Sequence, residues 1–255
     1  MIFLSALALA ILFSSTSSFY LNDTILMEME AAPLTEQEMD LIKQGETDLT
    51  TMATYSIKVY VTPEVVAAYS NYTESVEYLM EIVNKQYKRS EIPIKAELHC
   101  IAVTQTSEAE GMNEVEAFAE YKDTITELRG SADVAALFAT KLVSRYHGIV
   151  GGEARSYNPP NGNGMVLANT LPQSLHTRIV FGHELGHTFG AKHDNGLLFN
   201  VGDKKMGTLM HTAESDGHCC TDDYGFYSNP EGKINGTATG DKEHNVAALI
   251  RKHRY

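Results

Sequence analysis

The stretch from His183 to Asp194, HELGHTFGAKHD, constrains this chain more than any other segment. On an α-helix, residues four apart share a face, so His183 and His187 can present their imidazoles to one metal ion. Glu184 is rotated about a quarter turn from His183. That places a carboxylate beside such an ion, able to hold a water without becoming a ligand. His193 lies beyond the helical register of the first two histidines, so the chain must leave the helix between them. Gly190 is the residue there that tolerates the left-handed turn required. Three neutral imidazoles leave a fourth tetrahedral position for water, the arrangement of a catalytic zinc site. The flanking residues agree. Phe181, Leu185 and Phe189 form a core-facing stripe opposite the histidines. Gly182, Gly186 and Gly190 form a second stripe, bare of side chains, where another backbone could approach closely. Ser174 is a candidate N-cap for the helix.

These residues resemble the motif of the metzincin zinc endopeptidases, an HExxHxxGxxH helix followed by a methionine-bearing turn. Asp194, after the third histidine, is most similar to the reprolysin (adamalysin) branch. The resemblance implies one catalytic Zn2+ held by His183, His187 and His193, with Glu184 as general base. It also implies a Met-turn, which Gly207-Thr208-Leu209-Met210-His211 supplies, with Met210 as its methionine. Met206 competes for that role, but it follows two lysines where the family usually has an aliphatic residue. Thr212 stands where some branches carry a tyrosine, so a tyrosine ligand is not expected.

At 255 residues the chain suits one domain of moderate size with processed ends. A net charge of -13, with no basic patch, argues against a nucleic-acid partner. Residues 1–18 read as a secretory signal peptide: Met1 to Phe13 is apolar but too short to span a bilayer, and small residues follow. No second hydrophobic stretch exists. The expectation is therefore a secreted, extracellular, monomeric protein without stable membrane association. Asn22, Asn71 and Asn235 head N-x-T sequons and are glycosylation candidates that agree with secretion. Cys100, Cys219 and Cys220 are odd in number. A bridge from Cys100 to either of the others, or a vicinal link between those two, both stay open.

Residues 19–52 are acidic, with Lys43 as their single basic residue; the resemblance implies a propeptide there, and the composition by itself reads as a disordered acidic leader. They contain no cysteine that could bind zinc as a thiolate. No dibasic site precedes the catalytic domain expected over 53–255, since the first arginine is Arg89. From Tyr55 the pattern becomes regular. Ile57, Val59 and Val61 alternate as a strand, and Thr62-Pro63 opens a helix with Thr as N-cap and Pro at the first position. Val76, Leu79, Met80, Val83 and Tyr87 continue a helical stripe. Ile94 to Cys100 alternates again, Glu114 to Arg129 is helical in pattern, and Asp133 to Phe138 is a third strand. Gly148 to Ala154 and Gly164 to Asn169 are further strand candidates around the loop 158–163.

This order implies an α/β (α+β) fold with a mixed, mostly parallel twisted sheet. It matches the metzincin upper subdomain, with one of the last two strands as the edge on which substrate lies. An active-site helix and a small irregular C-terminal subdomain complete the expected fold. The tail from Tyr227 to Ile250 is similar to the closing helix of reprolysin-like and peptidyl-Asp metalloendopeptidase chains.

The resemblance implies a secreted zinc endopeptidase acting on protein or peptide substrates. Zinc would activate a water, and Glu184 would take its proton and pass it to the leaving amine. The loop between His193 and Met210 is the expected wall of the specificity pocket. A catalytically silent secreted binding protein of the same fold is the alternative, and a zinc hydrolase of small molecules is a third reading.

Overall fold

The computed structural model describes residues 53–104, 128–140, 143–144, 148–149, 152–158, 163–169, 175–211 and 225–252. Strand β1 (Ala53–Val61) buries alternate residues, Tyr55, Ile57, Val59 and Val61, as its period-two pattern requires. The Thr62 hydroxyl accepts a hydrogen bond from the Val65 amide at 3.3 Å and so caps α1 (Pro63–Ala68). Helix α2 (Tyr72–Arg89) turns Val76, Leu79, Met80, Val83 and Tyr87 into the core, and Lys88 and Arg89 suit its C-terminal dipole. Strand β2 (Ile94–Val103) returns parallel to β1.

Strand β3 (Val134–Ala139) is buried along its whole length, as befits a strand covered on both faces. Asp133, just before it, ties β3 to β1: one carboxylate oxygen accepts from the Ser56 amide and hydroxyl, both at 2.7 Å. A short ribbon of β4 (Val143–Ser144) and β5 (Gly148–Ile149) precedes β6 (Gly152–Asn158) and β7 (Asn163–Asn169). The five-stranded sheet has the order β2-β1-β3-β7-β6. Its first three pairings are parallel, and β6 runs antiparallel at the edge. The mostly parallel sheet expected from the sequence is present, and β6 is its antiparallel edge.

The helix α3 (Leu175–Thr188) packs against β6 and β7 on one side and α2 on another. A 3₁₀ turn (His193–Asn195) follows, then a hairpin of β8 (Leu198–Val201) and β9 (Lys204–Gly207). A second hairpin, β10 (Lys233–Ile234) and β11 (Thr237–Ala238), turns at Asn235-Gly236. Both of its turn residues have positive φ, 49° and 84°, the geometry for which Asn-Gly is favoured. The chain closes with α4 (Val246–Arg251), whose Val246, Ala247 and Ile250 are buried.

Three expectations change. The strand read as Gly148 to Ala154 is split: Gly148–Ile149 pairs with Val143–Ser144 in a separate ribbon, and the sheet strand begins at Gly152 and runs on to Asn158. The segment between His193 and Met210 is largely a β-hairpin, turning at Gly202-Asp203 with Gly202 at φ 60°. At Gly182 and Gly186 the glycine stripe on α3 meets side chains and not a backbone. Gln86 lies against Gly182, while Met210 and Tyr227 lie against Gly186. The helical pattern over 114–129 lies mostly outside the described residues, as do Ser174, Thr212, Cys219, Cys220, Asn22 and both segments up to residue 52. Among the described residues, no helix is long and apolar enough to cross a membrane.

Candidate metal centre

Helix α3 is fixed in the core before it presents anything to solvent. Phe181, Leu185 and Phe189 are fully buried on its inner side, and Phe181 meets Phe138 of β3 with ring centroids 5.4 Å apart. Two phenols grip the same helix. The Tyr227 hydroxyl donates to the Gly182 carbonyl at 2.6 Å. The Thr188 hydroxyl donates to the Leu185 carbonyl at 2.7 Å, so the Tyr55 hydroxyl, 3.2 Å away, donates to Thr188 Oγ1. Burial raises the pKa of both phenols well above the usual tyrosine value, which keeps them neutral donors.

The helix ends as its sequence requires. Gly190 takes φ 84°, its amide donates to the His187 carbonyl, and the Ala191 amide donates to the Gly186 carbonyl. That pair of bonds is a Schellman cap. The turn carries the chain off the helix and brings His193 back to the first two histidines. The three rings then face one another, with centroids 4.7, 5.2 and 5.0 Å apart. One nitrogen from each of His183, His187 and His193 lies within 4.8 Å of the others.

Backbone carbonyls set the tautomers. His183 Nδ1 is bonded to the Leu209 carbonyl, and His187 Nδ1 lies 2.7 Å from the Ala191 carbonyl. A carbonyl oxygen only accepts, so each Nδ1 carries the proton and each neutral ring offers its Nε2 lone pair. Those two Nε2 atoms are 3.0 Å apart. Two lone pairs held so close repel unless a cation lies between them, and His193 adds a third nitrogen to the same space. Nitrogens sharing a tetrahedral zinc would stand about 3.3 Å apart, given Zn–N distances of about 2.0–2.1 Å. The donor set therefore fits one zinc ion, and the carbonyl bonds provide the outer support such ligands need.

Glu184 is buried beside this cluster, at 1% exposure. The first residue of β6 closes over it: a Cβ added to Gly152 would lie 2.8 Å from Glu184 Oε1 and 2.5 Å from Val180 Cγ1. Only glycine leaves the carboxylate its present place. The edge strand and the carboxylate are thus direct neighbours.

Met210 is fully buried, and its sulfur occupies the gap left by Gly186, between the first two histidines of α3. Leu209, one residue earlier, is the same residue whose carbonyl holds His183. The turn is pinned by the Leu209 amide to the Phe226 carbonyl at 2.8 Å and by Thr208, which exchanges bonds with Leu197. Met206 lies instead on β9, also buried. Asn71 and Asn235 are exposed, at the start of α2 and in the β10–β11 turn. Cys100 is exposed on β2.

The sequence pointed to the histidines, Glu184 and Met210, but not to the groups that hold them. The Leu209 and Ala191 carbonyls carry no sequence signal, because every residue has one. Tyr227 and Gly152 could have been noticed only as a tyrosine and a glycine among many.

The sequence profile of metallo-peptidase family M12, Reprolysin_5, matches residues 51–237. No curated protein matches the sequence. Among solved structures, a chaperone–substrate complex aligns at TM-score 0.57 with 13% identity, over 80% of this chain and 34% of that chain. Metalloproteinase-II from Bacteroides fragilis aligns at TM-score 0.41 with 20% identity, over 68% of this chain and 50% of that chain. The chain thus spans half or less of the length of either, and the first likeness bears on the fold alone. With the profile covering most of its length, the chain belongs to metallo-peptidase family M12.

Proposed function

We propose that the protein is a secreted zinc endopeptidase in which His183, His187 and His193 hold the metal and Glu184 is the general base. The observation that carries this reading is the convergence of three histidine nitrogens within 4.8 Å, two of them with Nδ1 committed to carbonyls, beside a buried carboxylate. When bound, zinc supplies a Lewis acid for the scissile carbonyl and lowers the pKa of a water. Glu184 accepts the proton that this water gives up as it attacks, then passes it to the leaving amine nitrogen. Glu184 is buried with Gly152 packed against its carboxylate, which limits the room that group has to move and favours proton transfer along a fixed path.

Among the described residues β6 pairs only with β7, and no described strand lies along its other edge. An extended peptide would bind there by β-augmentation. Because Gly152 of β6 touches the Glu184 carboxylate, a peptide aligned on that edge passes beside the base. The β8–β9 hairpin, between His193 and Met210, is the proposed wall for side-chain selection. Secretion belongs to the same reading, supported by the apolar amino terminus and by sequons exposed at Asn71 and Asn235. Residues 19–52 are proposed as a leader.

Hydrolysis of denatured casein, with and without a chelator, tests the function. Cleavage that the chelator abolishes and added zinc restores is the expected result. A zinc-loaded protein that binds peptides without cleaving them would contradict it.

A further inference from the structure

His193 is the one metal-site histidine that no long helix carries. Its 3₁₀ turn spans His193–Asn195, too short to hold a side chain by its own hydrogen bonds. The turn is closed locally by a reciprocal pair. The Lys192 amide donates to Asn195 Oδ1 at 2.7 Å, and the Asn195 amide donates to the Lys192 carbonyl at 2.9 Å. On its downstream side, Gly196 packs directly on the backbone of Met210 and His211.

The other anchor comes from far along the chain. Ser228 is fully buried, and its hydroxyl donates to the Asn195 carbonyl at 2.8 Å. The same oxygen accepts from the Val246 amide at 3.1 Å, and the Ser228 carbonyl accepts from the Ala247 amide at 3.0 Å. One side chain therefore joins the turn bearing His193 to the first residues of α4. That helix is itself firmly docked. Val246, Ala247 and Ile250 are buried, and Asn245 Oδ1 caps it by accepting from the Ala248 amide at 3.0 Å. Arg251 reaches back to the Glu91 carbonyl at 3.1 Å and to Glu231 at 3.3 Å.

We propose that Ser228 is a positioning residue that couples docking of the C-terminal helix to metal affinity through His193. The inference rests on the zinc reading of the three histidines and extends it to the tail. With the hydroxyl present, the Asn195 carbonyl is satisfied and the turn has one arrangement. Without it, the partly buried Asn195 carbonyl and the buried Val246 amide both lose the Ser228 hydroxyl as partner, and His193 samples positions away from the other two imidazoles. Outer groups that orient a metal ligand typically contribute about 10–100-fold to affinity. Linkage then requires the reverse effect: metal bound through His193 must hold α4 in place by the same factor.

The test uses the full chain, stripped of metal and titrated with zinc against a chelating dye. Ser228→Ala should weaken zinc binding about 10-fold or more, while in a His193→Ala background the same change should have less than about a twofold effect. Failure of His193→Ala itself to weaken zinc binding would remove the zinc reading on which the proposal stands. If His193→Ala weakens binding but Ser228→Ala does not, or if Ser228→Ala acts equally in both backgrounds, the coupling through His193 is refuted. If the serine variant does not fold, hydrogen exchange in the unmodified protein decides. Zinc should slow exchange at the Val246 and Ala247 amides, and unchanged exchange there would overturn the proposal.

Discussion

His187 Nδ1 lies 2.7 Å from the carbonyl of Ala191, a residue in the turn that terminates the helix carrying His187 itself. The cap that stops the helix is therefore also what orients one of its metal-site imidazoles. Gly190, at φ 84°, makes both possible.

Replacement of Gly190 by Ala places a Cβ in the left-handed region, at a cost of about 1–2 kcal/mol. The variant should lose that stability in urea unfolding and also bind zinc more weakly, because the Ala191 carbonyl moves away from His187. Lost stability with unchanged zinc affinity would separate the cap from the metal site.

Gly186 and Met210 share one space, since a Cβ on Gly186 would lie 2.4 Å from the Met210 sulfur. Gly186→Ala should destabilise by about 1–3 kcal/mol through overpacking, and Met210→Ala by about 2–5 kcal/mol through the cavity it leaves. Together they should cost less than their sum, because each relieves the other. Thermal unfolding of the four proteins measures this. Simple additivity would mean that Met210 does not fill the gap left by Gly186, and Met206→Ala paired with Gly186→Ala supplies the additive control.

Tyr55, Tyr87 and Tyr227 are buried, and desolvation is the leading cause of their raised pKa values. Each therefore ionises more readily in the unfolded chain than in the folded one. The stability they confer is complete below pH about 10 and falls as pH rises beyond it. Absorbance titration should show these tyrosines, among the 13 in the chain, ionising only as the protein unfolds. Tyr227→Phe should lose about 1 kcal/mol from the bond to the Gly182 carbonyl. Ionisation of all tyrosines near pH 10 with the fold intact would contradict their placement.

The legible parts of this protein were those where one residue type has one physical use. Thr62-Pro63 starts a helix because a hydroxyl caps and proline fits the first turn, and the structure has that cap. His183, His187 and His193 are brought together because the spacing and Gly190 leave few other ways to run the chain. The hairpin after His193 was missed, although Val201-Gly202-Asp203-Lys204 holds a two-residue turn signal, because the flanking strands alternate poorly. The extent of β6 is not legible because Gly148 to Gly152 is apolar enough for one continuous strand, whereas Gly148–Ile149 pairs with Val143–Ser144 and only from Gly152 on does the chain pair with β7. Ser228 could not have been singled out, since its importance depends on partners 33 and 18 residues away.

Glu184, buried next to His183 in the chain, is the group proposed to move the proton in peptide hydrolysis. The direct measurement is the cleavage rate of a fluorogenic peptide by the unmodified protein and by Glu184→Gln, each brought to one zinc per chain. The amide is nearly isosteric but cannot accept the proton, and general-base action typically contributes about 10²–10⁴-fold. A loss of at least roughly a hundredfold, with zinc content and melting temperature retained, is the predicted result. Comparable cleavage rates for the two proteins would remove Glu184 from that role.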